Sequence, residues 1–110
     1  MNIEQENRGD ILVLRLSGRL DSSGAPELER VLLEKLASGK KRLVFDLSAL
    51  EYVSSAGLRV VLLAGKKLRG VQGKLVLVGI RDMVREVLDM SGFLALFAVA
   101  ATLDEGLAQV

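Results

Sequence analysis

Apolar residues fall into two rhythms along this chain. Ile11-Leu12-Val13-Leu14, Leu43-Val44-Phe45 and Leu75-Val76-Leu77-Val78 are short apolar runs bounded by polar or turn residues, and they predict strands. Because Leu43, Val44 and Phe45 are consecutive, both faces of that strand must be covered, as in a parallel sheet flanked by helices. The second rhythm is helical. Leu28, Val31, Leu32 and Leu36 recur on one helix face, with Pro26 in the first turn and Gly39 as the terminating residue. Ile3 to Asn7 alternates weakly and predicts a short edge strand. It turns through Arg8-Gly9-Asp10 into a second strand that ends at Leu16-Ser17-Gly18. A third strand covers Leu43 to Leu47 and is closed by Asp46 and Ser48. The next helix runs from about Ser55 to Leu68, with Lys66, Lys67 and Arg69 in its last turn, and breaks at Gly70-Val71-Gln72-Gly73. Lys74 to Gly79 is a strand, and Asp82 is expected to cap a helix that turns Val84, Val87 and Leu88 inward. Leu96 to Val99 predicts a last strand, and Thr102-Leu103-Asp104-Glu105 a capping box opening a terminal helix. Strand and helix alternate after the hairpin. The expectation is therefore one α/β domain over residues 1–110, with a mostly parallel sheet of four to five strands, an N-terminal hairpin and about four helices.

Composition removes several classes of function. The chain has 110 residues, 15 basic and 14 acidic, and a formal charge of +1, which argues against a general nucleic-acid binder. It has no cysteine and no histidine, so Cys/His zinc sites and Ser-His or Cys-His nucleophile pairs are impossible within it. No metal site and no cofactor is expected. The longest apolar run, Phe93 to Ala101, is far below the ~20 residues of a membrane helix. The first residues, Met1-Asn2-Ile3-Glu4-Gln5-Glu6-Asn7, are polar and unlike a signal peptide, so a soluble cytoplasmic protein is expected.

The most informative segment runs from Asp46 to Leu58. It places Ser54 and Ser55 at a strand-to-helix turn. A serine there exposes its hydroxyl at a helix start, where free N–H groups and the helix dipole favour an anion, and a phosphate would be tolerated and displayed. Serine is also a favoured N-cap, so the same pair can be read as a capped helix start and nothing more. Two enzyme motifs come close and fail. Val53-Ser54-Ser55-Ala56-Gly57 is half of G-x-S-x-G, with Val53 at the first glycine and no histidine in the chain. Gly70-Val71-Gln72-Gly73-Lys74 lacks the phosphate-loop spacing and precedes a strand, so it reads as a helix-to-strand turn.

Three segments resemble the STAS family of anti-sigma factor antagonists. Leu16-Ser17-Gly18-Arg19-Leu20-Asp21 is similar to its "G-x-L/I-D" turn and Leu43-Val44-Phe45-Asp46-Leu47-Ser48 to its strand end. Tyr52-Val53-Ser54-Ser55-Ala56-Gly57-Leu58 is similar to its serine turn. Order and spacing agree over nearly the whole chain. The resemblance implies a STAS-like sandwich and a protein that is not an enzyme. It would bind a serine/threonine kinase that acts as an anti-sigma factor, be inactivated by serine phosphorylation, and be reset by a serine phosphatase. In well-known members the serine directly before glycine accepts the phosphate, but Ala56 stands there in this chain. Ser55 is then the expected acceptor and Ser54 the second choice. The resemblance also places Asp21, Ala56, Gly57, Leu58 and Arg59 at the partner face. Read as residues alone, Asp21 can also cap the first helix, Gly57 can relax a tight first turn or give a kinase backbone close access, and Arg59 can pair with a partner group or stand solvated. Ser22 and Ser23 are left to cap the first helix or shape its turn, and Met83 or Met90 could join a partner patch. The alternatives are an unphosphorylated STAS subunit of a transporter or scaffold complex, and a small-ligand or nucleotide sensor using the turn as an anion site.

Overall fold

The computed structural model describes residues 1–110. Strand β1 (Asn2–Arg8) turns back into β2 (Ile11–Leu20), followed by helix α1 (Ala25–Ala37), β3 (Arg42–Val53), α2 (Ser55–Gly70), β4 (Lys74–Val78) and α3 (Asp82–Met90). A single 3-10 turn at Leu94–Leu96 leads to β5 (Ala98–Ala100) and α4 (Leu103–Gln109). The five strands lie side by side in chain order. Only the β1–β2 pair is antiparallel.

Two apolar layers explain why the strands are apolar on consecutive positions. On one face Leu12, Leu14, Leu16, Leu43, Phe45, Leu75 and Leu77 pack with Leu28, Val31 and Leu32 of α1, Val60, Val61, Ala64 and Leu68 of α2, and Val84 and Leu88 of α3. On the other, Val13, Val44, Val76, Val78 and Ala100 are covered by α4 through Leu103 and Leu107. Each fully buried leucine or phenylalanine contributes about 1.5–3 kcal/mol of transfer free energy, so the larger layer dominates stability. No helix is long and apolar enough to cross a membrane.

The expected α/β architecture is present, with corrections at element ends. β2 does not stop at Gly18, and β3 does not stop at Ser48. Both run on, to Leu20 and Val53, because they pair with each other through Gly18↔Leu50, Arg19↔Tyr52 and Leu20↔Val53. The β3–β4 pairing ends at Asp46↔Val78, so this continuation is a two-stranded arm projecting beyond the sheet. Two register shifts, in which β3 carries the extra residues, bend it. The buried side chains of Leu20, Leu47, Leu50 and Val53 hold it against the helices. Asp82 is not the cap of α3: Arg81 occupies that position without a side-chain bond, and Asp82 sits in the first turn, where its charge suits the dipole. The last strand starts at Ala98 rather than Leu96, since Leu94 to Leu96 winds into the 3-10 turn. Thr102 caps α4 as expected, accepting from the Glu105 N–H at 3.2 Å.

α4 sits close to the sheet because Gly106 has no side chain. A Cβ there would lie 2.3 Å from Val78 Cγ1. Gly106→Ala is expected to destabilise the fold by about 1–3 kcal/mol through overpacking, although alanine is the better helix former. Urea denaturation checks this, and unchanged stability would mean that α4 is not seated as described.

Candidate functional site

The C-terminal ends of β2 and β3 deliver two loops to one place. The Ser54 N–H donates to the Leu20 carbonyl at 2.8 Å, so the start of α2 is hydrogen-bonded to the residue just before the Asp21 turn. Parallel strands end at the same pole of a sheet, and the loops that follow them meet there.

The two serines divide their work. Ser54 has extended dihedrals (φ −91°, ψ 175°) and its Oγ accepts from the Gly57 N–H at 3.3 Å, so it is the N-cap of α2. Ser55 is the first helical residue. Its side chain is exposed and its hydroxyl forms no hydrogen bond within the chain. No acidic residue lies in the first turn of α2. Arg59, exposed and four residues beyond Ser55, shares its helix face. The free serine hydroxyl therefore stands in a locally positive setting made by the helix start and a cation one turn away.

Asp21 organises the neighbouring turn. Its Oδ1 accepts from the Ser23 hydroxyl at 2.7 Å, the Ser23 N–H at 3.0 Å and the Gly24 N–H at 3.3 Å. Its main-chain carbonyl accepts from the Ala25 N–H at 2.8 Å. The residue at the N-cap of α1 is Gly24, which has no side chain to offer, so neither Ser22 nor Ser23 caps the helix as expected. The Ser23 hydroxyl, then the Ser23 and Gly24 N–H groups and nearby Arg19, hold the Asp21 carboxyl below its ordinary range despite some desolvation.

Between the two turns lies a groove of about 310 Å³ lined by Ser22, Ala25, Pro26, Glu29, Ala56, Arg59 and Val60. Ala56 and Arg59 thus line a surface recess. Gly57 and Leu58 do not: both are buried. A Cβ on Gly57 would lie 2.6 Å from Leu20 Cγ and 2.7 Å from the Leu20 carbonyl. Its missing side chain admits β2 to the helix start, not a kinase backbone, which corrects the access role expected of it. Asp46 bonds locally as expected, accepting from the Ser48 N–H at 3.0 Å, and also approaches Arg15 at 3.6 Å. Met83 and Met90 are exposed, on α3 rather than at this groove.

The sequence reading missed one feature of this pole. The Arg19 guanidinium stacks over the Tyr52 ring, 4.3 Å from its centroid. The two residues are 33 positions apart and become neighbours only through the shifted register of the arm. No pattern in the sequence signals that. No group of three acidic side chains converges to hold a metal ion.

Comparison with known proteins places these features in context. The STAS domain model matches residues 2–106. BtrV of Bordetella bronchiseptica, whose provisional designation is anti-sigma factor antagonist, is 46% identical over 100 residues, spanning 91% of this chain and 86% of BtrV. The anti-sigma-F factor antagonist RsfB of Mycobacterium tuberculosis is 30% identical over 100 residues, spanning 91% of this chain and 81% of RsfB. The crystal structure of an anti-sigma factor antagonist from Mycobacterium paratuberculosis superimposes with a TM-score of 0.91 at 29% identity, covering 99% of this chain and 92% of that one.

Two measurements separate the roles at this pole. Ser54→Ala is expected to cost about 1 kcal/mol as a lost cap, and Ser55→Ala less than about 0.5 kcal/mol. Equal losses in chemical denaturation would contradict the division between cap and free hydroxyl. Asp21 gives a pH signature. Because its folded pKa is depressed, its contribution is complete above the ordinary carboxylate range and disappears as pH falls through the folded value. Asp21→Asn keeps the acceptor oxygen, so melting at pH 7 should barely change while part of the acid-side loss of stability below about pH 4 vanishes. An acid profile identical to the unsubstituted chain would remove Asp21 from that account.

Proposed function

The chain belongs to the STAS domain family, and on that premise we propose that it is an anti-sigma factor antagonist working by partner switching. With Ser55 unmodified, it docks on an anti-sigma factor that is itself a serine/threonine kinase, and the bound sigma factor is released. The kinase then transfers the γ-phosphoryl group of ATP to Ser55 Oγ. The hydroxyl loses its proton, ADP leaves, and the complex ends. A serine phosphatase restores the hydroxyl by hydrolysis. In this reading the chain catalyses nothing and carries no cofactor.

One observation carries the proposal: an exposed, unbonded Ser55 hydroxyl at an acid-free helix start, hydrogen-bonded through its neighbour Ser54 to the strand that positions Asp21. That arrangement makes a switch without a large rearrangement. Phosphate adds about −1.5 to −2 charges. In the free protein the helix start and Arg59 offset much of it. At an interface fitted to a neutral hydroxyl beside the Asp21 carboxylate, the same charge is repelled and loses hydration. Ser54 is the poorer acceptor, because its oxygen is engaged as the cap. The shift of the acceptor by one residue, forced by Ala56, leaves the hydroxyl at the helix start and so preserves this electrostatic logic.

Incubation with the cognate kinase and ATP followed by peptide mass mapping should place phosphate on Ser55. Phosphate only on Ser22, Ser23 or Ser48, or on no serine, would refute the assignment. Ser55→Asp should shift stability by less than about 1 kcal/mol and weaken kinase binding at least about tenfold, an unpaired interface charge being costly. Equal affinity of the two forms in calorimetric titration would end the charge-switch account.

A further inference from the structure

Charge is spread unevenly along this nearly neutral chain. Residues 35–45 hold Lys35, Lys40, Lys41 and Arg42 with no acid, and residues 52–81 hold Arg59, Lys66, Lys67, Arg69, Lys74 and Arg81 with no acid. These two stretches contain ten of the 15 basic residues. The fold brings most of them together at the pole opposite the serine turn, where α1 and α2 end and β3 and β4 begin. Helix α2 has 16 residues, which separates the two poles by about 24 Å.

At this second pole a cleft of about 360 Å³ opens between the helix ends, lined by Leu36, Gly39, Lys40, Lys41, Lys67, Gly70 and Val71. Three features set it apart from an ordinary solvated lysine surface. First, its floor is apolar: Leu36 is half-buried and Val71 is 42% exposed. Second, its cations are unspent. The ion pairs of the molecule use Arg8, Arg15, Arg30 and Arg42, and none involves Lys35, Lys40, Lys41, Lys66, Lys67 or Arg69. Asp10 feels Lys40, but its two carboxylate oxygens are bound by Arg42 at 2.8 Å. Third, its walls are tied together. The Lys74 N–H donates to the Lys41 carbonyl at 2.8 Å, the Lys40 N–H to the Lys35 carbonyl at 3.1 Å, and the Gly73 N–H to the Leu68 carbonyl at 2.6 Å. The backbone on both sides is therefore held before any ligand arrives.

We infer that this cleft is a second binding site, for an acidic protein segment that places an apolar side chain on the Leu36–Val71 floor and its carboxylates against Lys40, Lys41 and Lys67. Charge complementarity selects the acidic partner. The concave apolar floor suits an inserted side chain better than a bilayer surface. None of the chain's aromatic residues lines the cleft, so the stacking platform that single-stranded nucleic acid uses is missing. The site is independent of the serine switch and lies one helix length from it, so both can be occupied at once. The chain could then stay tethered to an acidic region of a partner while its serine turn is engaged or released.

The test uses the full chain and a short synthetic peptide alternating aspartate and leucine, followed by amide NMR. Saturable shifts should concentrate at Gly39, Lys40, Gly70 and Val71, weaken with added salt, and leave Ser54 and Ser55 unmoved. Lys40→Glu combined with Lys67→Glu, checked by thermal melting to be folded, should lower the affinity about tenfold or more. Shifts scattered over the surface, shifts centred on the serine turn, or an undiminished affinity in the double variant would overturn the site. So would tighter binding of vesicles rich in phosphatidylserine, or of a single-stranded oligonucleotide, at the same residues. Because phosphorylation of Ser55 is not part of the readout, failure here leaves the switching proposal untouched, and the reverse also holds.

Discussion

The parallel pairing of β2 with β3 beyond the edge of the sheet is the constraint on which the candidate site depends. β4 stops at Val78, yet β3 continues to Val53 with β2 as its only neighbour. Two extra residues in β3 bend that arm, and buried Leu20, Leu50 and Val53 anchor it. At its tip the Ser54 N–H meets the Leu20 carbonyl, and Gly57 lies so close to Leu20 that a methyl group could not be inserted. Without this contact α2 would begin elsewhere, and the Asp21 turn and the serine turn would be separate loops.

From that contact follows a division of labour among small polar side chains. Ser54 satisfies a backbone donor, which frees Ser55 to face solvent. Asp21 gathers three donors from Ser23 and Gly24, because Gly24 cannot cap α1 itself. A carboxylate so held is both a structural element of the turn and a fixed negative charge on the surface. The groove between the two helix starts adds shape, with Ala56 and Arg59 on one wall and Pro26 and Glu29 on the other. Beside it stand one fixed negative charge, at Asp21, and one unbonded hydroxyl, at Ser55.

The opposite pole has a different physical character. There the helices end, lysines accumulate without ionic partners, and an apolar floor remains open between α1 and α2. Basic residues in the last turns of helices are favoured by the dipole, and Lys35, Lys67 and Arg69 fit that rule. The dipole does not account for Lys40 and Lys41, which lie beyond α1. Helix α2 joins a pole that carries an unbonded serine hydroxyl to a pole where lysines stand without ionic partners.

Much of this molecule was legible in the order of its residues. Apolar patterning identified α1, α2, α3 and most strands, the capping box at Thr102 identified α4, turn chemistry identified Gly39 and Pro26, and the serine pair was found at a helix start as expected. These are local matters: a residue's period and its backbone preference act within a few positions. What the sequence could not settle depended on neighbours distant along the chain. The strand ends at Leu20 and Val53 were missed because β2 and β3 complete each other's hydrogen bonds there, through a shifted register that no alternation encodes. Gly57 was left open between easing a tight turn and admitting a kinase backbone, because a glycine's sequence context does not say which atoms crowd it, and only packing against Leu20 shows that it faces inward. Asp21 was left open between capping the first helix and lying beside the serine turn, and its bonds to Ser23 and Gly24 were not visible until the turn had a shape. The Arg19–Tyr52 stack and the lysine cleft belong to the same class. Each joins segments from separate elements, and proximity between separate elements is a property of the tertiary fold.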